Sequence, residues 1–247
     1  MAPPQTAAAL IIGNEILSGK IAEGNLRVLA KTLGSIGVRL ERVVMVLDDR
    51  TSIAHEVRSL SKSYDVVFTS GGVGPTHDDV TIASVAEAFG VAVEQSPEIE
   101  EMLRMYYGSD LTEGHLFMAR IPQGAELVTT DEMPWHTIVM KNVWILPGVP
   151  QIFQMKMPVV RTLLAGGVAF QSLAIYTTLD EGHLKPLLDR VVAEHPDVDL
   201  GSYPKWREPR YRTKVTFDAR DLSLVERARD ALVAILPADA LVRIDEE

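Results

Sequence analysis

The sequence predicts an α/β fold, a three-layer domain with a largely parallel sheet and helices on both faces, followed by a small α+β domain. Over residues 7–89, short apolar runs alternate with segments whose apolar residues recur at helical spacing. This βαβαβα order is typical of a parallel sheet that is covered on both sides. A second order, βαββαβ, begins after Gly166 and Gly167 and is typical of a ferredoxin-like domain. Because 247 residues suffice for a large and a small domain, we expect domains at 1–168 and 169–247.

The first half of the large domain is predicted from three apolar runs and three helical repeats. The runs at 7–12, 39–47 and 66–68 are expected to form the first three strands. The helices are expected where apolar residues return every three or four positions, at 26–36, 53–60 and 80–89.

The second half of the large domain is predicted to be richer in strands. Ser96 and Pro97 suit the cap and first turn of a helix that reaches about Tyr107. Lys141 and Asn142 are expected to turn a hairpin between antiparallel strands. The other expected elements are strands at 91–93, 127–129, 137–140 and 143–146, a loop at 108–114 and a last helix at 152–164. In the small domain we expect strands at 173–178, 198–203, 211–218 and 240–244 and helices at 184–192 and 224–235.

The composition excludes several classes of function. A formal net charge of −10 disfavours a general nucleic-acid or anionic-membrane partner. The absence of cysteine excludes disulfides, thiolate zinc sites and a cysteine nucleophile, which agrees with a reducing cytoplasm. No apolar run approaches the roughly 20 residues that span a bilayer, and no basic residue precedes the run at 7–12 as in a signal peptide. We expect a cytoplasmic protein with no membrane partner.

The stretch from Asp65 to Thr81 is predicted to bind phosphate. Its apolar run breaks at Gly71, Gly72 and Gly74, between a strand and a helix. Glycines let an anion approach the backbone, and the N-terminus of a helix offers unpaired N–H groups. The spacing matches neither the dinucleotide-binding fingerprint nor a Walker loop. The alternative is a tight turn in which an aspartate simply caps the helix.

Acidic residues at three predicted strand ends indicate a metal. Asp78 and Asp79 follow the glycines directly, and two carboxylates repel phosphate unless a cation intervenes. Asp48 follows the second strand. Gly13, Asn14 and Glu15 follow the first strand and are expected to form a polar turn. Because the carboxyl ends of parallel strands meet at one edge, we expect these groups to form one composite pyrophosphate site.

Three motifs resemble the molybdopterin-binding domain family, the fold of molybdopterin adenylyltransferases and of the N-terminal part of competence/damage-inducible protein A. They are Gly13-Asn-Glu-Ile-Leu-Ser-Gly-Lys20, Thr69-Ser-Gly-Gly-Val-Gly-Pro-Thr-His-Asp-Asp79 and Leu146-Pro-Gly-Val-Pro150. The tracts 200–206 and 142–150 look most like the corresponding half of eukaryotic FAD synthases. The segment 132–137 departs from the Gly-Thr-Ala-Pro-Gly-like turn of many competence-type relatives, so the pocket wall there is expected to differ.

The resemblance implies the molybdopterin-binding fold and a metal-dependent pyrophosphatase that acts on nucleotide diphosphates such as ADP-ribose or FAD. The implied metal is Mg²⁺, Mn²⁺ or Co²⁺, the ligand is a nucleotide or a pterin, and a homo-oligomer is expected. Two alternatives stay open. One is molybdopterin binding or adenylyl transfer in molybdenum cofactor biosynthesis, and the other is a non-catalytic module that binds nucleotide or nucleic acid.

The candidate site residues follow from the motifs and the resemblance. The catalytic candidates are Asp79, Asp78 and Asp48, and the metal candidates are Asp78 and Asp79; a helix cap is the alternative for each. The substrate-binding candidates are Gly13, Asn14, Glu15, Ser70, Gly71, Gly72, Gly74, Pro75, Thr76 and Gly148.

Two histidines and one basic tract keep open roles. His77 suits general acid–base work or is an exposed bystander. His136 suits contact with a base or is a surface-loop residue. The basic and aromatic tract 205–214 suits single-stranded nucleic acid, a hairpin that closes over a nucleotide, or a solvated strand face.

Overall fold

The computed structural model describes residues 3–131 and 133–246, and the chain divides into two compact units. The first unit ends at Gly167 and the second begins at Val168. In the first unit, the elements are β1 (Thr6–Ile12), α1 (Asn14–Leu17), α2 (Asn25–Ser35), β2 (Arg39–Val46), α3 (Arg50–Ser63), β3 (Val66–Ser70), α4 (Thr81–Phe89), β4 (Val93–Gln95), α5 (Pro97–Tyr107), α6 (Glu113–Phe117), β5 (Arg120–Pro122), β6 (Glu126–Thr130), β7 (Met133–Met140), β8 (Val143–Leu146) and α7 (Pro150–Leu164).

One six-stranded sheet organises the first unit, in the order β2-β1-β3-β8-β7-β6. The pairs β1–β2, β1–β3 and β3–β8 are parallel, whereas β7 pairs antiparallel with both β8 and β6. Ser70, the last residue of β3, pairs with Ile11 on one side and with Leu146 on the other. The carboxyl ends of β1, β3 and β8 therefore meet at one edge of the sheet. Ile12 pairs with Val46, so β2 ends at the same edge, as predicted for the first three strands.

Both faces of this sheet are buried, which confirms the predicted α/β class. Along β1, Ala7, Ala9 and Ile11 pack against helices α2 and α7, and Ala8, Leu10 and Ile12 pack against residues of α3 and α4. Alternate residues of a strand point to opposite faces, so a continuous apolar run is what a central parallel strand needs.

Three expectations about local elements in the first unit are wrong. The loop expected at 108–114 contains a 3₁₀ turn at Gly108–Asp110 and the start of α6. The strand expected at 91–93 lies at Val93–Gln95, because the N–H of Val91 ends helix α4 by donating to the carbonyl of Ala86. The polar turn expected at Asn14 is the short helix α1.

The second unit has the predicted βαββαβ order. Its elements are β9 (Gln171–Thr177), α8 (Glu181–Glu194), β10 (Asp199–Pro204), β11 (Thr213–Ala219), α9 (Leu222–Ile235) and β12 (Leu241–Glu246). Its antiparallel sheet has the order β10-β11-β9-β12, which is the ferredoxin-like arrangement. Helices α8 and α9 contribute Leu184, Val191, Val225 and Leu232 to a core of its own.

Within the described ranges, none of the helices is both long and apolar enough to cross a lipid bilayer.

Candidate functional site

A cavity of about 980 Å³ opens at the carboxyl edge of the first unit's sheet. Turns that follow β1, β2, β3 and β8 form its polar side, and residues of α5, α6 and β7 form an apolar side. Every predicted site residue except Asn14 lines this cavity, and the lining on the polar side includes Gly13, Glu15, Asp48, Ser70, Gly71, Gly72, Gly74, Pro75, Thr76, Asp78, Asp79 and Gly148.

Two glycines at the start of the β3–α4 turn are required by their backbone geometry. Gly71 has a φ of 110° and Gly72 a φ of 65°, conformations that favour glycine. A Cβ at Gly71 would collide with the carbonyl of Ile12, and a Cβ at Gly72 would collide with the hydroxyl of Thr81. The chain therefore passes close to β1 at this point, and backbone atoms without side chains form this part of the site.

The amide groups of this turn divide into occupied and available donors. The N–H of Gly71 donates to the carbonyl of Leu146 at 3.2 Å, and the N–H of Thr76 donates to Asp79 Oδ2 at 2.8 Å. The amides at the two ends of the turn, those of Gly71 and Thr76, are therefore already occupied. The N–H groups at 72–74 donate to no acceptor in the part of the chain that the structure describes. Those amides are left for an anionic ligand.

Neither Asp78 nor Asp79 caps a helix, so that alternative is wrong. Helix α4 starts at Thr81 after Val80, which makes no side-chain cap. Instead, Asp79 Oδ2 accepts from the N–H of Thr76. The hydroxyl of Thr76 lies within hydrogen-bond distance of both Asp79 Oδ2 (2.5 Å) and Asp78 Oδ1 (2.6 Å), so the two carboxylates share its single proton. The two carboxylates stabilise the turn through these hydrogen bonds, and both line the cavity.

The helix-cap alternative for Asp48 is also wrong, because its neighbour Asp49 caps α3. The side chain of Asp49 accepts from the N–H of Ser52 at 2.8 Å. Asp48 Oδ2 accepts instead from the N–H of Asn14 at 2.8 Å, and the side chain of Asn14 accepts from the N–H of Asp48. Asn14 therefore helps to position Asp48 through these two hydrogen bonds, although Asn14 itself does not line the cavity.

The carboxylates on the polar side influence one another. Burial raises the pKa of Asp48, and the nearby charges of Glu15, Asp78 and Asp79 raise it further, although the hydrogen bond from Asn14 opposes them. Carboxylates from the ends of three strands therefore lie close enough to interact. Such a cluster disfavours an anionic ligand unless a cation accompanies it.

The residues present fit a divalent cation of the kind the resemblance implies. Their oxygens are the hard ligands that Mg²⁺ and Mn²⁺ prefer. Over 3–131 and 133–246, no three His, Asp or Glu side chains are arranged to hold a metal by themselves. A cation bound through one or two carboxylates, water and ligand phosphates needs no such cage. Asp78 and Asp79 are the residues that would hold it.

Asn25 is a site residue that the motif argument missed. It is 5% exposed, and its Nδ2 donates to Ser70 Oγ at 3.0 Å and to the carbonyl of Gly148 at 2.8 Å. It therefore ties the start of α2 to the turns after β3 and β8. An asparagine at the start of a helix is common enough that the sequence offered no signal.

Lys156 is the second residue that was missed. It is 6% exposed, and its Nζ donates to the carbonyls of Trp135 and His136, each at 2.7 Å. Burial lowers the pKa of Lys156 to about 8. A signal was present, because Lys156 follows Phe153 by three positions and precedes Val160 by four, which places it on the buried face of α7.

The two histidines with open roles occupy different environments. The side chain of His77 is 97% exposed at the cavity rim, and its Nδ1 lies 3.9 Å from Asp78 Oδ1. His136 lies in β7 rather than in a surface loop and lines the cavity, half-buried. Its Nδ1 is buried with no hydrogen-bond partner among the described residues.

The basic tract 205–214 connects β10 and β11 in the second unit. Trp206 is 97% exposed. Arg210 pairs with Glu208 at 2.9 Å, and Arg212 lies 4.0 Å from Asp180. Part of the positive charge of this tract is therefore neutralised locally.

Comparison with protein families finds two matches along the chain. Residues 8–165 match the probable molybdopterin binding domain, and residues 169–245 match the FAD synthase middle domain. Both matches agree with the motifs, and the resemblance derived from them is confirmed.

Individual relatives share these regions to different extents. A protein of Archaeoglobus fulgidus is 34% identical over 88% of this chain and 92% of its own length. A probable FAD synthase of Caenorhabditis briggsae is 32% identical over 94% of this chain, which spans about half of that relative (50%). A CinA-like protein of Myxococcus xanthus is 38% identical over 59% of this chain and 36% of its own length.

A solved structure resembles about two thirds of the chain. It is the crystal structure of the protein CinA with unknown function from Thermoplasma acidophilum, with a TM-score of 0.59 and 28% identity. The match covers 65% of this chain and 98% of that structure.

Proposed function

The chain belongs to the family of probable molybdopterin-binding domains, and from that premise we propose that its cavity binds and hydrolyses the pyrophosphate of a nucleotide diphosphate of the ADP-ribose or FAD type. The observation that supports this most directly is the juxtaposition of amides at 72–74 with the carboxylates of Asp48, Asp78 and Asp79. Donors without protein partners suit phosphate oxygens, and the carboxylates supply the oxygen ligands that a divalent cation would need.

In the proposed reaction, water attacks one phosphorus and the bridging P–O bond breaks. AMP and a second phosphate, FMN or ribose 5-phosphate, leave, and the proton of the water passes to a base. A bound Mg²⁺, Mn²⁺ or Co²⁺ supplies charge neutralisation and water activation. The amides at 72–74 would hold one phosphate, and Asp78 and Asp79 would hold the cation.

Asp48 is the proposed proton acceptor. Its Oδ2 is held by the N–H of Asn14, so its other oxygen is left to receive a proton from a water in the cavity. A carboxylate fixed in this way acts as a general base when the water lies within hydrogen-bond reach.

The test is a panel of FAD and ADP-ribose assayed with each of the three metals, with products identified by mass. We expect slow release of AMP, lowered about 100-fold or more in Asp79→Asn, because loss of a cation ligand removes several kcal/mol of transition-state stabilisation. Asparagine keeps an oxygen that accepts from Thr76 N–H while it removes the charge, so the turn is retained. Asp239→Asn, an exposed aspartate in the second unit, is the matched control and should keep full activity. If all three metals leave both compounds intact, hydrolysis is ruled out.

Adenylyl transfer is the second candidate, because the family match covers residues 8–165 of the first unit and the amides and carboxylates of the site would also suit the phosphates of ATP. In this reaction a phosphate oxygen of the acceptor, rather than water, attacks the α-phosphorus and diphosphate leaves. Incubation with ATP and molybdopterin distinguishes the two, since only the transferase forms an adenylylated pterin.

A further inference from the structure

The apolar side of the cavity is not used by the pyrophosphate chemistry. It is formed by helices α5 and α6 and by β7, and it includes Met102, Leu103, Tyr106, Trp135 and Ile138. Tyr106 is 64% exposed, although it is large and mostly apolar. A wide apolar surface inside a cavity is typical of a ligand site.

Two aromatic rings form a corner on this side. The rings of Tyr106 and Trp135 lie 4.9 Å apart with an angle of 78° between their planes. Tyr106 also contacts Tyr107 edge-on at 4.9 Å, and Trp135 also packs against the core of the sheet. Because both rings still line the cavity, the ring surface that these contacts leave uncovered is available for stacking. A planar ligand that stacks on one ring presents its edge to the other.

This corner borders two cavities. A second cavity of about 530 Å³ shares Met102, Tyr106, Trp135 and His136 with the first. The corner is therefore open on more than one side, which leaves room for a fused ring system larger than one aromatic side chain.

The backbone behind the corner is held in place by a buried charge. Lys156 Nζ donates to the carbonyls of both Trp135 and His136. Because an ammonium so deeply buried needs these acceptors, β7 is fixed to α7 where the ring of Trp135 projects. A rigid aromatic wall loses little entropy when it binds a ring.

His136 adds a polar group beside the apolar wall. Its Nδ1 is buried and unpartnered within the described residues. Burial, and then the charge of Lys156, lower the pKa of His136. A lowered pKa favours the neutral imidazole, and because Nδ1 is enclosed by protein atoms, only Nε2 is left to meet a ring heteroatom, as a donor or as an acceptor.

We propose that the corner of Tyr106 and Trp135, with His136 beside it, is a ring-binding subsite for the second heterocycle of a dinucleotide. It selects substrates whose non-adenylyl half carries a large planar ring with polar edges, such as a flavin, over those that end in a bare sugar phosphate. The choice of a dinucleotide rests on the proposed function, whereas binding of the ring does not.

The test separates ring binding from hydrolysis by using riboflavin, which has the ring and no phosphate. Titration is followed by calorimetry and by flavin fluorescence. We expect wild-type protein to bind riboflavin, and Trp135→Ala to bind it about tenfold more weakly or worse. Trp135→Phe should retain most of the affinity. Tyr203→Ala, which removes a 51% exposed aromatic ring from β10 of the second unit, should bind as wild type.

Hydrolysis supplies the second measurement. In Trp135→Ala, kcat/KM should fall for FAD and stay unchanged for ADP-ribose, which has no second ring. The proposal is overturned if wild-type protein does not bind riboflavin, or if Trp135→Ala binds it equally well while its melting temperature is unchanged. If Trp135-dependent riboflavin binding is seen without any hydrolysis, the subsite stands and the pyrophosphatase proposal fails.

Discussion

At the scale of single residues, the buried ammonium group of Lys156 positions part of the cavity wall that none of the three motifs contains. Its ammonium group reaches two carbonyls about twenty positions earlier in the chain and holds the strand that carries Trp135. Replacing it leaves two buried carbonyls without their donor, which is costly in a dry interior. Asn25 plays a similar part, because its amide joins turns that are far apart in sequence.

The lowered pKa of Lys156 predicts a pH dependence of stability. The folded state releases the Lys156 proton at about 8, whereas the unfolded chain keeps it to about 10.5. Between these values the unfolded state binds more protons, so stability rises with pH. The free energy of unfolding of wild type relative to Lys156→Met should therefore increase between pH 7.5 and 10, on the order of 2 kcal/mol.

Urea denaturation across this pH range measures the difference. Lys31→Met, at an exposed position of α2, is the control for loss of a lysine at the surface. A difference between wild type and Lys156→Met that is flat or falls over this range would contradict the burial argument.

At the scale of elements, the turn between β3 and α4 is held in its conformation at both ends and presents amides to the cavity. Gly71 and Gly72 adopt left-handed backbone against β1, and Thr81 Oγ1 donates to the carbonyl of Gly71 at 2.8 Å. Asp79 holds the far end of the turn through Thr76. The turn keeps its amides at 72–74 available because both ends are bonded to protein.

Gly71→Ala should destabilise the protein by about 2 kcal/mol or more, since a φ of 110° is strained for alanine and its Cβ meets the carbonyl of Ile12. Gly34→Ala is the matched control. Gly34 lies within α2, and a Cβ there meets nothing within 4 Å, so alanine should stabilise by about 0.5–1 kcal/mol. Thermal and chemical unfolding measure the stability of both variants. Equal changes in the free energy of unfolding would contradict the role given to Gly71 in the turn.

At the scale of the whole molecule, each unit has a buried core of its own and the cavity belongs to the first. All residues that line the cavity lie between Ile12 and Lys156. The core of the second unit is drawn from 173–236. Homo-oligomerisation stays a prediction, and light scattering of the purified chain addresses it.

A fragment of residues 1–167 should therefore fold cooperatively and keep the site. We expect its riboflavin affinity to lie within about twofold of the full chain, as a binding pocket is built from its own lining. A fragment of residues 1–157 is the control, because it lacks Val159 and Val160, which are fully buried in the core. Circular dichroism and calorimetry compare the two. If the longer fragment is unfolded, the first unit depends on the rest of the chain.

By itself, the sequence determined the fold class, the order of the elements and the polar side of the cavity. These follow from local patterns, since apolar spacing reports which face of an element is buried and glycines report where backbone must bend or approach closely. Only the tertiary structure decided that Asp49 rather than Asp48 caps α3, that the amides at 72–74 are the available ones, and that Lys156 supports an aromatic wall. Each of these depends on contacts between distant positions, as with Asn25 and Gly148, 123 positions apart, and no local pattern encodes such a contact.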